Sequence, residues 1–597
     1  MPKRRFLAVA AALILFFLTQ GCACLPQSDR GFLDVTITHV NDTHSHLEAA
    51  YYSLKIEGRP TQVALGGMAR LKSALDDLRT KEKNVLFLHG GDMVQGTLYF
   101  AKYQGKADMD ILNMLNPDAA TAGNHEFDEG PGLLASLAGM AHFPIVPSNI
   151  DVSGEPRLAG RLAPYAVKTI GGERIAIIGV TTTDTPAISN PGPTVRFKDP
   201  AESVMKSVEE LQRTGLRKIV LLSHLGYMED IAIAKQTSGI FVIVGGHSHT
   251  HLGDKKAFHS LGLNPEGPYP TIVKNRDGRD VLIVQAWEWA KLLGVLRLRF
   301  DSNGEIIAWS GAPMLLVGTT FKQNDAVIAE GSEAYNDILR SLRASGAAGI
   351  YGEDEQVKAR LAEYAGPMKE MMNTVIAKAG KELVRGNNRG PGPIVADSML
   401  VKTRTAGVQI AIQNTGGIRR DIPAGDISVA EVYELLPFNN TLVIIDLTGN
   451  QLLSALEESI DFQLAGGNRG THLYVAGISF RIDESAKKGM RIRDAMVQMS
   501  DGNYSALDGA NTYRIVTSSY LAGGGDGMYI FRQAAGYRSD TGFIDAEVLI
   551  EYLKGLGTVT APTEKRISSL PLYTRIAVIS PYRAFQNRLS AELLKAA

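Results

Sequence analysis

Cysteine is almost absent from this 597-residue chain, in which Cys22 and Cys24 are the only two. The folded body therefore has neither a disulfide framework nor a thiolate metal site. An excess of charge of one sign is also lacking: 62 Lys+Arg face 63 Asp+Glu, for a formal net charge of -1. That balance excludes the broad positive field on which binding of a nucleic-acid polymer depends. Past the N-terminal segment no apolar run approaches the ~20 residues that span a bilayer, and no internal repeat is evident. What is present is an ordinary globular composition, 45% hydrophobic and 21% charged, which excludes disordered, collagenous and coiled-coil classes. At ~150 residues per domain the length calls for two or three domains.

The N-terminus carries Lys3-Arg4-Arg5, an unbroken apolar run from Phe6 to Leu18, and then Thr19-Gln20-Gly21-Cys22. The run is too short to cross a bilayer and has the charged, apolar and small-residue order of a signal peptide, expected over 1–21. Gly21-Cys22 resembles the bacterial lipobox, which implies lipidation of Cys22; a plain cut near Ala23 is the alternative. The expectation is an exported protein, periplasmic or at the cell surface, whose membrane contact is limited to the lipid anchor.

Eleven of the twelve histidines lie between His39 and His259, so the two halves of the chain differ in chemistry. The first half alternates β-rich runs with helical stretches, and strands are expected at Val35–Val40, Val85–Leu88, Ile175–Val180, Ile219–Leu222 and Ile240–Val244. Asp199-Pro200 supplies an N-cap and N1 proline for a helix with Val204, Val208 and Leu211 on one face. From about Asp325 to Ala379 helical patterning dominates. A second α/β segment follows Arg385, with strands at Val408–Ile412, Thr441–Leu447, His472–Ile482 and Thr512–Thr517 and a helix at Gln451–Ser459. The expected division is a first domain over 33–320, a helical linker over 321–380, a second domain over 381–575 and a tail over 576–597.

Polar clusters begin where the first-half strands stop: Asn41-Asp42-Thr43-His44, Gly90-Gly91-Asp92, Ser223-His224 and Gly245-Gly246-His247-Ser248-His249, with Gly123-Asn124-His125-Glu126 between them. In open α/β sheets the carboxyl ends of strands gather distant residues at one edge, where ligands bind. Asp, His and Asn without Cys form an oxygen and nitrogen donor set suited to Zn, Mn, Fe or Co, large enough for two divalent metal ions.

Asp42-x-His44, GGD, GNHE, His224 and GGHSH, in that order, resemble the motif series of the calcineurin-like metallophosphoesterases. The resemblance implies that Asp42, His44 and His249 ligate one metal, that Asn124, His224 and His247 ligate the other, and that Asp92 bridges them. It also implies that His125 stabilises the transition state, paired with Asp128. Some bacterial relatives have Gln at the position of His249. His39, His46, His89 and His251, as neighbours of these ligands, are expected to point away or to line the outer shell.

Val384-Arg385-(x3)-Arg389, Asn414-Thr415-Gly416-Gly417-Ile418-Arg419, Leu436-Pro437-Phe438-Asn439-Asn440 and Tyr520-Leu521-Ala522-Gly523-Gly524-Gly525-Asp526-Gly527 resemble, in order, the C-terminal domain of the 5′-nucleotidase and UDP-sugar hydrolase family. With the first half, the resemblance runs from about Val35 to ~Leu570. It implies a four-layer α/β/β/α first domain, a helical linker and an α/β nucleotide-binding second domain. It further implies that Arg385, Arg389 and Arg419 meet the phosphate, that Phe438 and Tyr520 stack on the base, and that Asn414 and Asp526 contact base and ribose. Arginine forks suit phosphate oxygens, and aromatic faces suit any nucleobase. Two departures stand out. Tyr520 replaces the usual Phe, and Gly390-Pro391-Gly392-Pro393 replaces an Asn-Leu-Gly-Asn run, where two prolines are expected to stiffen a turn beside Arg389.

The function these features imply is hydrolysis of a nucleotide's 5′-phosphate at two divalent metals, with a small-molecule nucleotide as partner. The alternatives are cleavage of 2′,3′-cyclic nucleotides or UDP-sugars at the same site, and a non-catalytic nucleotide-binding lipoprotein.

Overall fold

The computed structural model describes residues 32–569 apart from 325, 387–388, 439, 465–471 and 500. The expected signal segment 1–21, Cys22 and the expected tail 576–597 lie outside the described residues. Among the described residues, no helix is long and apolar enough to cross a membrane.

Two sheets meet face to face in the first half. In one, the strands run in the order Ala50–Ile56, Arg59–Leu65, Ile306–Gln323, Leu292–Phe300, Leu33–Val40, Val85–His89, Ala119–Ala120. The other runs Thr271–Lys274, Asp280–Val284, Val242–Gly245, Ile219–His224, Glu173–Thr181, Tyr165–Ile170. Val35, Ile37, Leu86 and Leu88 of the first sheet pack on Ile177, Val220, Leu222 and Val244 of the second, so the core lies between the sheets. Alternate residues point outward: Ile219 and Leu221 meet Val204, Val208 and Leu211 of the helix Pro200–Arg213. Asp199 caps that helix, accepting from Glu202 N at 2.8 Å. The helices Met68–Lys81 and Lys106–Leu115 cover the outer side of the first sheet. Strands covered on both faces must be apolar throughout, which is why their sequences read as continuous apolar runs. The result is the four-layer α/β/β/α order.

The segment 321–380 is not helical throughout. It holds the helices Glu333–Ser345 and Glu355–Met372, but Ala348–Ile350 extends the first sheet and Val375–Ala379 pairs with Gly425–Ser428 and Thr558–Val559 of the second half.

The second half is built on a five-stranded sheet ordered Leu473–Ala476, Ile410–Asn414, Thr512–Ser518, Thr441–Thr448, Arg538–Ile544. One face buries Ile412, Val443 and Ile515 against Leu452 and Leu456 of the helix Gly449–Leu464. The other buries Ala411, Ile444 and Val516 against the helices Pro391–Thr403 and Asp545–Leu556. The expected strand from His472 to Ile482 is broken at Gly477, whose φ of 74° turns the chain into a separate four-stranded sheet. Pro391 and Pro393 do not stiffen a turn. They occupy the first turn of their helix, where a missing N–H costs nothing, and Gly392 admits the ring of Tyr474, which a Cβ would meet at 2.1 Å.

Leu222 is fully buried between the two sheets. Its replacement by Ala should lower unfolding free energy by about 2–5 kcal/mol, measured by urea denaturation of the first-half transition.

Candidate active site

The carboxyl ends of five strands, parallel within each sheet, converge. Leu33–Val40 lies beside Val85–His89, and Glu173–Thr181, Ile219–His224 and Val242–Gly245 are parallel neighbours in the facing sheet. The turns that follow place Asp42, His44, Asp92, His247 and His249 in left-handed backbone, with φ of 51°, 47°, 52°, 73° and 49°. Such conformations are costly for residues other than glycine and persist where the surroundings enforce them, typically at functional sites.

These turns aim lone pairs at one another. His44 Nε2 stands 2.9 Å from His249 Nε2 and 3.9 Å from both Asp42 and Asp92 carboxylate oxygens. His224 Nε2 is 2.9 Å from Asp92 Oδ2, and His249 Nε2 is 3.5 Å from Asp42 Oδ1. Both polar side-chain atoms of buried Asn124, and Nδ1 of buried His247, have no hydrogen-bond partner. His224 donates through Nδ1 to the Gly90 carbonyl at 2.8 Å, which leaves its Nε2 lone pair directed into the cluster. Donor atoms within 4.8 Å of one another group as Asp42, His44 and His249, and as Asp92, His224 and His247. Buried donors left unpaired in this density are suited to divalent metal ions, because a cation satisfies every lone pair at once.

His125 lies at the rim. Its Nδ1 meets Asp128 Oδ2 at 2.6 Å, and Asp128 Oδ1 accepts from Ser189 Oγ at 2.6 Å, so the imidazole and its carboxylate are both oriented. Burial opposes a charge on His125, but Asp128 and Asp92 outweigh it and push the imidazole up to about 10. His125 Nε2 donates to the carbonyl of Thr541, in the second half, at 2.5 Å.

His39, His46, His89 and His251 face other partners. His39 bonds the Tyr269 hydroxyl at 2.8 Å, His89 bonds Thr43 Oγ1 at 3.0 Å, and His46 and His251 stack on Trp289 and Trp287.

In the second half, Asp526 stands in left-handed backbone, with its carboxylate accepting from Asn414 Nδ2 at 2.7 Å and from the Tyr520 hydroxyl at 2.9 Å. The Tyr520 ring lies over Gly525, where a Cβ would meet it at 2.5 Å. Phe438 and Tyr520 are 52% and 49% exposed, so neither ring is spent on the core. Arg419 stacks over Phe438 with its guanidinium carbon 5.5 Å from the ring centre. A cavity of about 1790 Å³ between the halves is bordered by His247 and His249 on one side and by Phe438 and Tyr520 on the other. Arg385, Arg389 and Arg419 do not border it; Arg385 is tied to Asp421 and to the carbonyls of Ile418 and Arg419. The structure thus unites the histidines with the aromatic pair and leaves the arginines aside.

Some supporting residues escaped the sequence reading. Glu126 accepts from the amides of Asp92, Met93 and Gly123 at 3.1, 2.8 and 2.5 Å, clamping the turns that carry Asp92 and Asn124 together. Asn41 bonds Asp42 Oδ2 and the Trp287 carbonyl, each at 2.6 Å. Both stand inside the sequence motifs, next to candidate metal-binding residues, and that adjacency was the available signal.

The match to known families agrees with this geometry. Residues 35–251 match the calcineurin-like phosphoesterase model and residues 375–533 the 5′-nucleotidase C-terminal domain. A protein of Treponema pallidum named "Probable 5′-nucleotidase" is 34% identical over 95% of this chain and 98% of its own length. The solved NAD nucleotidase of Haemophilus influenzae superposes with a TM-score of 0.78 at 29% identity, covering 90% of this chain and all of that one. A 5′-nucleotidase precursor of Thermus thermophilus is 45% identical over 90% of this chain and 99% of its own, with a TM-score of 0.56. The chain belongs to the 5′-nucleotidase family, a two-domain class of metal-dependent phosphoric ester hydrolases built on a calcineurin-like phosphoesterase core.

Glu126→Ala strands three buried amides, each worth about 1–3 kcal/mol. The variant should melt at lower temperature and retain less metal after dialysis, as read by calorimetry and elemental analysis.

Proposed function

We propose that the protein is an exported phosphohydrolase with two metals that removes the 5′-phosphate from nucleotides, releasing nucleoside and phosphate. The observation that carries this reading is a cavity bordered by both the histidine cluster and an exposed aromatic pair from the other domain. A phosphate ester whose base lies between Phe438 and Tyr520 has the donor cluster within the same enclosure. Export rests on the leader-like segment 1–21 and on Cys22 as lipid anchor.

In this reading Asp42, His44 and His249 hold one metal, Asn124, His224 and His247 the other, and Asp92 is shared. The metal pair, when bound, supplies Lewis acidity for the phosphoryl oxygens and acidifies the attacking water. His125 donates its Nε2 proton toward the charge that develops on the phosphate or leaving oxygen, and Asp128 keeps the imidazole aimed and protonated. Asp526, held by Asn414 and Tyr520, presents its carboxylate to the ribose hydroxyls, and Phe438 and Tyr520 stack on the base.

Arg385, Arg389 and Arg419 bind phosphate only after the second domain turns, because they do not border the cavity and because Thr541 occupies His125. The two solved relatives support such movement. The Thermus protein is closer in sequence yet superposes less completely than the Haemophilus one, as chains of one fold do when their domains sit differently.

A second reading is cleavage at the pyrophosphate of a dinucleotide or UDP-sugar. The cavity favours it: about 1790 Å³ exceeds the ~300–1,000 Å³ of common small-molecule sites and leaves room beyond one nucleotide.

Phosphate release from AMP, NAD, UDP-glucose, 2′,3′-cyclic AMP and p-nitrophenyl phosphate, by protein stripped of metal and resupplied with Mn, Zn or Co, separates these readings. Metal-dependent release favouring AMP is expected, with His125→Ala slower by about 10²–10⁴-fold while retaining metal. Absence of turnover by the metal-loaded protein on every substrate would leave a binding protein instead.

Domain movement is tested separately, with dyes on cysteines placed at the exposed positions Lys206 and Glu484 in protein lacking Cys22 and Cys24. Energy transfer should report two distances whose balance shifts with a non-hydrolysable nucleotide. One unchanging distance would exclude a domain rotation.

A further inference from the structure

The segment Trp287-Glu288-Trp289-Ala290-Lys291 has no role in the assignments above, yet it is tightly constrained and lies beside the cluster. Trp287, Trp289 and Ala290 all adopt positive φ, at 56°, 56° and 51°. Three side chains with Cβ atoms in left-handed backbone need strong surroundings to hold them. Those surroundings tie the segment to the ligand strand: Trp289 N donates to the Asp42 carbonyl at 2.8 Å, and Asn41 Nδ2 to the Trp287 carbonyl.

The constraint presents one carboxylate. Glu288 Oε1 accepts from Lys291 Nζ at 2.6 Å, and the ammonium is boxed by Trp289, Trp287 and Tyr52, at 3.8, 4.4 and 5.6 Å from their ring centres. With one oxygen fixed, the other, Oε2, stands 2.8 Å from His249 Nδ1, off the line of an ideal hydrogen bond. The nearby anion still fixes the tautomer, because it favours the N–H on the nitrogen facing it. A second carboxylate, Asp540 of the other domain, lies 3.4 Å from the same Nδ1 and is itself held by Thr441 Oγ1 at 2.7 Å. Glu288 belongs to the same domain as His249 and remains beside it when the domains part.

We propose that Glu288, fixed by Lys291, is the positioning residue of His249, holding the imidazole through Nδ1 so that Nε2 keeps its lone pair aimed at Asp42 and His44. The proposal rests on the reading of His249 as a metal ligand. It also accounts for a buried charge pair whose replacement by apolar residues would ordinarily be neutral or stabilising.

The test is titration of the metal-free full chain with Co²⁺, read by equilibrium dialysis and by the visible absorption of the bound ion. Wild type should take up two ions. Glu288→Gln should keep one at full strength, bind the other about 10- to 100-fold more weakly, and show an altered spectrum for that ion. Glu288→Gln with Lys291→Met, which removes both charges together and strands neither, should show the same weakening if the fold is intact. In a His249→Gln background, which has no second ring nitrogen to hold, Glu288→Gln should add nothing further. Full-strength binding of both ions by Glu288→Gln, with one ion lost in His249→Ala, overturns the proposal alone. So does weakening by Asp540→Asn without weakening by Glu288→Gln. Two ions at full strength in His249→Ala overturn the ligand reading of His249, and this proposal with it.

Discussion

The fold is organised around a cost that protein atoms alone do not offset: buried oxygen and nitrogen lone pairs facing one another at the ends of parallel strands. His44 and His249 bring ring nitrogens to 2.9 Å, and Asn124 has no partner for either polar atom. An apolar sandwich behind the strands makes this possible, because Val35, Ile37, Val220 and Leu222 fix the strand ends to which the ligand turns are attached. Around the cluster a ring of neutralised contacts keeps the donors in place. Glu126 braces two turns from below, Asn41 orients Asp42, and Gln285 donates to the Gly246 carbonyl at 3.0 Å beside His247.

The second domain contributes in a different manner. Its five-stranded sheet is a carrier, covered by helices on both faces, and its functional groups sit on the turns at one end. Tyr520, Asn414 and Asp526 form one bonded unit, so the hydroxyl that distinguishes Tyr520 from phenylalanine is used to hold the aspartate. The aromatic faces remain open to the cavity. The histidine cluster and the aromatic pair thus lie in separate domains and meet across the cavity between them.

Much of this was legible in the sequence. The strands that lead into the donor cluster are apolar runs that stop at Val40, His89, His224 and Gly245, and each forms at nearly the expected residues, as at Ile219–His224. The helix after Asp199 followed from its cap, its proline and its apolar spacing. Less was legible where burial is one-sided: the long strand Ile306–Gln323 is exposed over much of its length and lacks the apolar signature. The two prolines after Gly390 were expected in a turn, but the pattern Pro-Gly-Pro is equally suited to the opening turn of a helix. Contacts such as Glu288 with His249 escaped because they depend on a left-handed turn, which local composition rich in tryptophan does not announce. The aim of Arg385, Arg389 and Arg419 depends on how two domains are placed, a property that no local pattern encodes.

The strand Arg538–Ile544 has one further consequence. It brings Thr541 onto His125, and a Cβ on Gly542 would meet His125 and His44 at 2.6 Å. The same stretch of backbone therefore roofs the donor cluster. In a metal-loaded protein that roof would be a barrier to departure as well as to entry. Whatever displaces this stretch of backbone would therefore also change how readily the cluster exchanges an ion.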